Sequence, residues 1–101
     1  MYVSRLAFHT IPGKTGEVER ELRNLRKLVA VGGGKQGRIL RAHFASLGAP
    51  DLVFEQEASD LADLERQLKG VTDDSDFQEW SKRVSPLLAQ SPKREVYLIS
   101  E

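Results

Sequence analysis

The sequence predicts an α+β domain with the element order β-α-β-β-α-β, and three observations carry that prediction. Polarity alternates residue by residue near both ends and through the middle of the chain, the period of a strand. In the two intervening stretches apolar residues recur at helical spacing. Turn-forming clusters separate the segments at Pro12-Gly13, Gly32-Gly33-Gly34, Gly48-Ala49-Pro50 and Ser91-Pro92.

The first strand runs from Tyr2 to Ile11, with Tyr2, Leu6 and Phe8 on one side and Val3, Arg5, Ala7, His9 and Ile11 on the other. Thr15 is placed to cap the following helix, and Glu17 and Glu19 stand in its early turns, where carboxylates meet the positive end of the helix dipole. Val18, Leu22, Leu25 and Val29 form its buried stripe, Glu19 and Arg23 a solvated i,i+4 pair, and the glycine run its stop. A second strand is expected over Arg38 to Ser46, with Leu40, Ala42 and Phe44 opposite Ile39, Arg41, His43 and Ala45. Leu47-Gly48-Ala49-Pro50-Asp51 then makes a hairpin into a third strand, Leu52 to Glu57.

Ser59 or Asp60 opens the second helix, with Leu61, Leu64, Leu68 and Val71 inward. The polar run Thr72 to Asp76 interrupts it; without the glycine and distal glutamate of a calcium loop, it reads as helix capping. A further helix puts Phe77, Trp80, Val84, Leu87 and Leu88 on one face, with Pro86 set to kink it. The last strand, Glu95 to Ser100, sets Val96 and Leu98 against Tyr97 and Ile99.

This order is the ferredoxin-like split βαβ arrangement: an antiparallel sheet in strand order 4-1-3-2, with both helical segments on one face. At 101 residues the chain has length for one core, so residues 1–101 are a single domain. The helix-packed face is expected to hold Tyr2, Leu6, Phe8, Leu40, Ala42, Phe44, Leu52, Phe54, Val96 and Leu98. A large side chain fully buried there contributes roughly 1.5–3 kcal/mol.

The opposite face then mixes Val3, Ala7, Ile11, Ile39, Ala45, Val53 and Ile99 with Arg5, His9, Arg41, His43, Glu55, Glu57 and Tyr97. It is too apolar to stand bare in water and too charged for a dry core, so a second copy of the chain is the expected partner, meeting it across a partly wet interface. With Ala49 at the centre of the hairpin, His43 faces Glu55 and Arg41 faces Glu57, opposite charges that stabilise by roughly 0.2–1 kcal/mol across a strand pair. Arg5 joins the same cluster from the neighbouring strand.

Fifteen basic residues balance fifteen acidic ones, so no global field draws nucleic acid or an anionic membrane, and neither is an expected partner. The absence of cysteine removes disulfide and thiolate chemistry. Arg5 and His9 interrupt the first apolar stretch, which therefore does not read as a signal peptide, and a cytoplasmic location is the expectation.

Several motifs invite chemistry and are outweighed by simpler readings. GGGKQG matches G-x-G-x-x-G through Gly32, Gly34 and Gly37, but it follows a helix and precedes a strand, the reverse of a dinucleotide-binding turn. His9 and His43 with Glu55 or Glu57 suggest an iron-type donor set, yet in the expected strand order a third strand separates the two histidines. No metal and no cofactor is expected. His43 beside Glu55 is the favoured candidate for a general base, with His9 second, since a carboxylate orients imidazole and raises its proton affinity. Arg5 and Arg41 suit an organic acid, and Tyr97 suits a ligand hydrogen bond. The expected ligand-binding set is thus Arg5, His9, Arg41, His43, Glu55 and Tyr97. Trp80, at helical spacing with Phe77 and Val84, reads as core.

Ile11-Pro12-Gly13-Lys14 at the end of a strand, a hairpin feeding Phe54-Glu55-Gln56-Glu57-Ala58-Ser59-Asp60-Leu61, and Phe77-Gln78-Glu79-Trp80 leading to Val84-Ser85-Pro86-Leu87-Leu88 resemble the dimeric α/β-barrel superfamily. The pattern is most similar to its NIPSNAP-like and antibiotic-biosynthesis-monooxygenase (ABM) branches, over nearly the whole chain. The resemblance implies a dimer whose two sheets pack into a barrel, with a pocket between sheet and helices or inside the barrel. It also implies a range of activities, from cofactor-independent monooxygenases to isomerases and haem-degrading enzymes. The asparagine, tryptophan and histidine of the haem-degrading branch are not carried over to Asn24, Trp80 or His9. The expected function is that of a homodimeric protein binding a small organic ligand. The alternative is a cofactor-independent monooxygenase or isomerase acting on a small cyclic substrate.

Overall fold

Strands β1 (Tyr2–Phe8), β2 (Arg38–Arg41), β3 (Leu52–Ala58) and β4 (Lys93–Leu98) form one antiparallel sheet in the order β2-β3-β1-β4. This is the expected 4-1-3-2 order, read from the other edge. The computed structural model describes residues 1–31 and 37–100. The helix stop assigned to Gly32-Gly33-Gly34, and most of the G-x-G-x-x-G match, lie outside the described residues.

Helices α1 (Thr15–Val31), α2 (Leu61–Thr72) and α3 (Ser75–Val84) close the core against one face of the sheet. The α1 stripe is buried as its periodicity requires, through Val18, Leu22, Leu25 and Val29. Asp60 caps α2, accepting from the Asp63 backbone N–H at 2.7 Å, while the Asp63 carboxylate accepts from the Ser59 N–H at 3.0 Å, a reciprocal closure of orphan donors. Asp74 caps α3 through the Asp76 N–H. The pattern expected to run on through Leu88 stops being α-helical at Val84, and Ser85–Leu87 form a single 3-10 turn around Pro86, whose ring cannot continue the helix. The Thr15 hydroxyl meets the Thr10 hydroxyl at 2.6 Å at the start of α1. On α2, Leu61 is exposed rather than inward, and Gln67 takes a buried place beside Leu64 and Val71.

The strands depart from expectation where their hydrogen bonds are handed to another segment. β1 ends at Phe8 rather than Ile11 because His9 to Ile11 turn to the stretch after α3. The Ala89 N–H donates to the His9 carbonyl at 2.8 Å, and the Ile11 N–H to the Leu87 carbonyl at 2.9 Å. β2 stops at Arg41 rather than Ser46: the Ala42 N–H donates to the Asp51 carbonyl, and residues 42–48 leave the sheet as an exposed arm.

That change moves the register. Glu55 pairs with Arg38, five positions before the expected His43, and an odd shift turns every β2 side chain to the other face. Ile39, not Leu40, therefore packs toward the helices beside Phe54, and Arg41 turns the same way, reaching Glu19 of α1 at 3.6 Å. Phe44 and Ala42, expected in the core, are exposed on the arm, Phe44 to 93%. Val96 and Leu98 keep the expected phase, yet all six residues of β4 are exposed because the helices do not extend over that edge.

Gly37 shows how closely β2 approaches β3. A Cβ there would sit 2.6 Å from the Phe54 ring and 2.9 Å from the Glu55 carbonyl. Gly37→Ala should therefore lower stability by about 1–3 kcal/mol, as overpacking does, read as a lower denaturant midpoint with an unchanged slope. An unchanged midpoint would show that this end of β2 gives way freely.

Candidate functional site

On the uncovered face the central residue is Glu55, 3% exposed although no helix covers it. Two arginines do so instead. Arg5 Nε donates to Glu55 Oε2 at 2.9 Å from β1, and Arg38 Nη2 donates to Oε1 from β2. Both are cross-strand partners of Glu55, which explains the convergence: three side chains at one rung of the ladder point the same way. Arg5 also lies over the Tyr97 ring, 5.6 Å from its centroid, and the Tyr97 hydroxyl donates to Glu95 on the same strand. Around this chain of charges stand Val3, Ala7, Val53 and Leu40.

Loss of solvent pushes the Glu55 carboxyl upward, and the hydrogen bonds and charges of Arg38 and Arg5 outweigh it, holding the group below its ordinary range. The Glu95 carboxylate accepting from Tyr97 raises the phenol. Between α1 and α3, the hydrogen bond from Arg83 is the main cause that lowers Glu21. A carboxyl whose folded pKa is depressed adds stability above its unfolded pKa and loses it as pH falls through the folded value. Stability should therefore decline on acidification below the ordinary glutamate range. Glu55→Gln should flatten part of that decline while costing about 1–2 kcal/mol at neutral pH, discounted because both arginines are half exposed. Urea melts between pH 3 and 7, roughly spanning the carboxylate range, measure both effects.

The expected site residues are divided by this geometry. Arg5, Glu55 and Tyr97 are brought together. Arg41 is on the other face. His43 stands on the exposed arm, its ring 4.5 Å from that of Phe44, so the expected pairs His43–Glu55 and Arg41–Glu57 do not form. His9 lies just beyond β1 with both ring nitrogens engaged, Nε2 with the Gly48 carbonyl at 3.1 Å and Nδ1 with the Gln90 amide at 3.0 Å. The Gly48 carbonyl can only accept, which requires the proton on Nε2 and leaves Nδ1 to accept from Gln90. His9 borders an open hollow of about 420 Å3, with Ala7, Pro50, Lys93 and Glu95 on its other sides. Among the described residues no three His, Asp or Glu side chains gather as metal ligands would.

A more enclosed cavity lies on the other side of the sheet. It is walled by Leu6, Phe54, Leu25, Val29, Leu68, Val71 and Phe77, with Gln56, Thr72 and Arg94 as its polar members. Its volume is about 40 Å3, and about 360 Å3 of empty space when the open mouth is included. Apolar walls with a few convergent polar groups are the usual make-up of a small-molecule site. Gln56 is buried and donates to the Gln67 side-chain carbonyl at 3.5 Å, while the Gln67 amide donates to the Glu57 carbonyl. Arg94 Nη1 donates to the buried Ser4 hydroxyl at 2.5 Å. Arg38, Gln56, Gln67 and Arg94 are not among the residues that the sequence pattern singles out. For Arg94 a signal existed, because it continues the Val96–Leu98 alternation two residues earlier. For Arg38 none did, because its partner depends on the hairpin register.

No family model matches the sequence, and no curated protein matches it. Solved structures do match over nearly their full length. An uncharacterised NIPSNAP domain protein from Burkholderia xenovorans superposes with a TM-score of 0.75 at 16% identity, over 99% of this chain and 95% of that one. A Bordetella bronchiseptica protein named as a candidate antibiotic biosynthesis monooxygenase gives 0.70 at 21% identity, over 99% and 97%. Another antibiotic biosynthesis monooxygenase gives 0.68 at 14% identity, over the whole of both chains. The chain thus has the fold that its sequence resembles, the ferredoxin-like fold of the ABM and NIPSNAP-like proteins.

Proposed function

We propose that this protein is a homodimeric small-molecule-binding protein, in which a second copy covers the open sheet face and the ligand enters the cavity between the sheet and the helices. One observation carries the dimer: a face without helices buries a glutamate under two arginines and surrounds it with Val3, Ala7, Val53 and Leu40. The outer strand β4 adds to this. It leaves Val96, Tyr97 and Leu98 exposed along an unpaired edge, a surface that proteins ordinarily cover. Pairing sheet to sheet covers Tyr97 and the apolar residues of the open face, with the arginine–glutamate clusters of both copies inside the interface, while Val96 and Leu98 stand on the helix side of β4. The charges within each cluster already satisfy one another, which suits an interface better than a ligand hook.

Sedimentation equilibrium should give twice the chain mass at micromolar concentration. A monomer throughout that range would sink the reading. Thermal-shift screening of small acids, quinols and cyclic ketones should find at least one stabiliser, by mass action on the folded state. A cofactor-free oxygenase or isomerase is the alternative, with the open hollow beside His9 as substrate site and His9 Nδ1, once Gln90 releases it, as base. Oxygen uptake with quinol-like substrates, abolished in His9→Ala, would favour it. No helix among the described residues is long and apolar enough to cross a membrane.

A further inference from the structure

We infer that the cavity between sheet and helices takes a small carboxylic acid, its apolar tail inside and its carboxylate on Arg94. The inference rests on the reading of this cavity as the ligand site and adds the ligand's charge and size.

Three observations point to it. Arg94 pairs with Leu6 across the β1–β4 ladder, so its side chain rises on the helix side of the sheet and reaches the cavity rim. There it spends one N–H on the Ser4 hydroxyl, and among the described residues no carboxylate lies within salt-bridge distance of it. A guanidinium carries five N–H donors in a planar fork that matches a carboxylate, so most of its capacity remains unspent. The surrounding apolar atoms also desolvate it enough to lower its proton affinity, although the residue still reaches water at the sheet edge. A charge held this way, next to a largely apolar cavity, is relieved by an anion that fits the fork and places its own apolar atoms against Leu6, Phe54 and Phe77.

Size narrows the class. A water-sized group takes about 10–15 Å3 of such space, so the 40 Å3 cavity admits a tail of roughly three or four heavy atoms without rearrangement. Isovalerate, a carboxylate on a branched four-carbon tail, is therefore the probe. Isovaleramide is its neutral isostere.

The test is a titration of both compounds into the full chain, followed by amide shifts in two-dimensional NMR spectra. Isovalerate should move the signals of Phe54, Gln56, Phe77 and Arg94, and bind roughly tenfold more tightly than isovaleramide, the scale of one charge-assisted bidentate contact. Arg94→Met, which keeps the apolar stem, should bring the two affinities level. Arg94→Lys should restore part of the difference and guards against a Met variant that misfolds. Equal affinity of acid and amide in the unmodified chain would overturn the carboxylate assignment and leave the cavity as a ligand site. Absence of shifts at these residues with either compound would overturn both.

Discussion

Replacing Val53 with arginine should leave the protein folded and monomeric, weakening self-association by roughly a hundredfold or more. Val53 lies on the open face of a central strand, half-buried between Ala7 and Leu40. In an isolated chain the new guanidinium extends into water, and a surface substitution of that kind shifts stability by no more than about 0.5 kcal/mol. In the proposed sheet-to-sheet dimer the same charge is enclosed, beside Arg5 and Arg38 of its own chain. Placing an unpaired charge in an interface costs several kcal/mol. Sedimentation velocity across a concentration series reads the change directly, with circular dichroism as the folding control. A Val53→Arg protein that stays dimeric with undiminished affinity would show that the copies meet elsewhere.

Trp80→Ala is expected to have the largest effect on the isolated fold, a loss of about 3–5 kcal/mol, the range for truncating a buried aromatic. Trp80 is 4% exposed, stacks on Phe77 at 5.7 Å and meets the edge of Phe8 at 6.5 Å, linking α3 to β1 across the core. Its indole N–H donates to the Glu21 carbonyl of α1 at 2.5 Å, and the substitution also removes this bond between the two helices. Small domains are stable by only about 5–15 kcal/mol, so the variant sits near its folding limit. Trp80→Phe keeps most of the packing and loses the hydrogen bond; about 1–2 kcal/mol is expected, and guanidinium melts of the pair separate the two contributions. If the two variants cost the same, packing would not be the main role of the indole.

Much of this architecture is legible in the order of residues. The stripe of α1 and the Trp80–Val84 face of α3 emerge where periodicity predicts, because a helix satisfies its backbone locally and its pattern depends on no distant partner. The phase of β1, β3 and β4 also follows, since their apolar positions alternate cleanly. The site is harder to read. Arg5, Glu55 and Tyr97 share a face by strand phase, and they meet in the folded chain. Arg38 enters only through β2, whose pairing with β3 shifts by five residues from the pattern-based choice. Residues 38–46 alternate as a strand whichever side faces inward, so the pattern could not say where the ladder stops. Gln67 stands at a helical position open to a polar or an apolar residue, and its burial becomes visible only beside Gln56.

The sequence by itself determined the order of elements, the helix-facing sides of three strands and the apolar stripes that hold the core. All of these are properties of one segment and its period. Tertiary structure alone decided where the hairpin turns, and with it which basic residue meets Glu55 and which face receives Arg41. It also decided that Arg94 stands at the mouth of a cavity. Those outcomes depend on hydrogen bonds and contacts summed between segments dozens of residues apart, and a one-residue difference in loop closure reverses the face of every side chain beyond it.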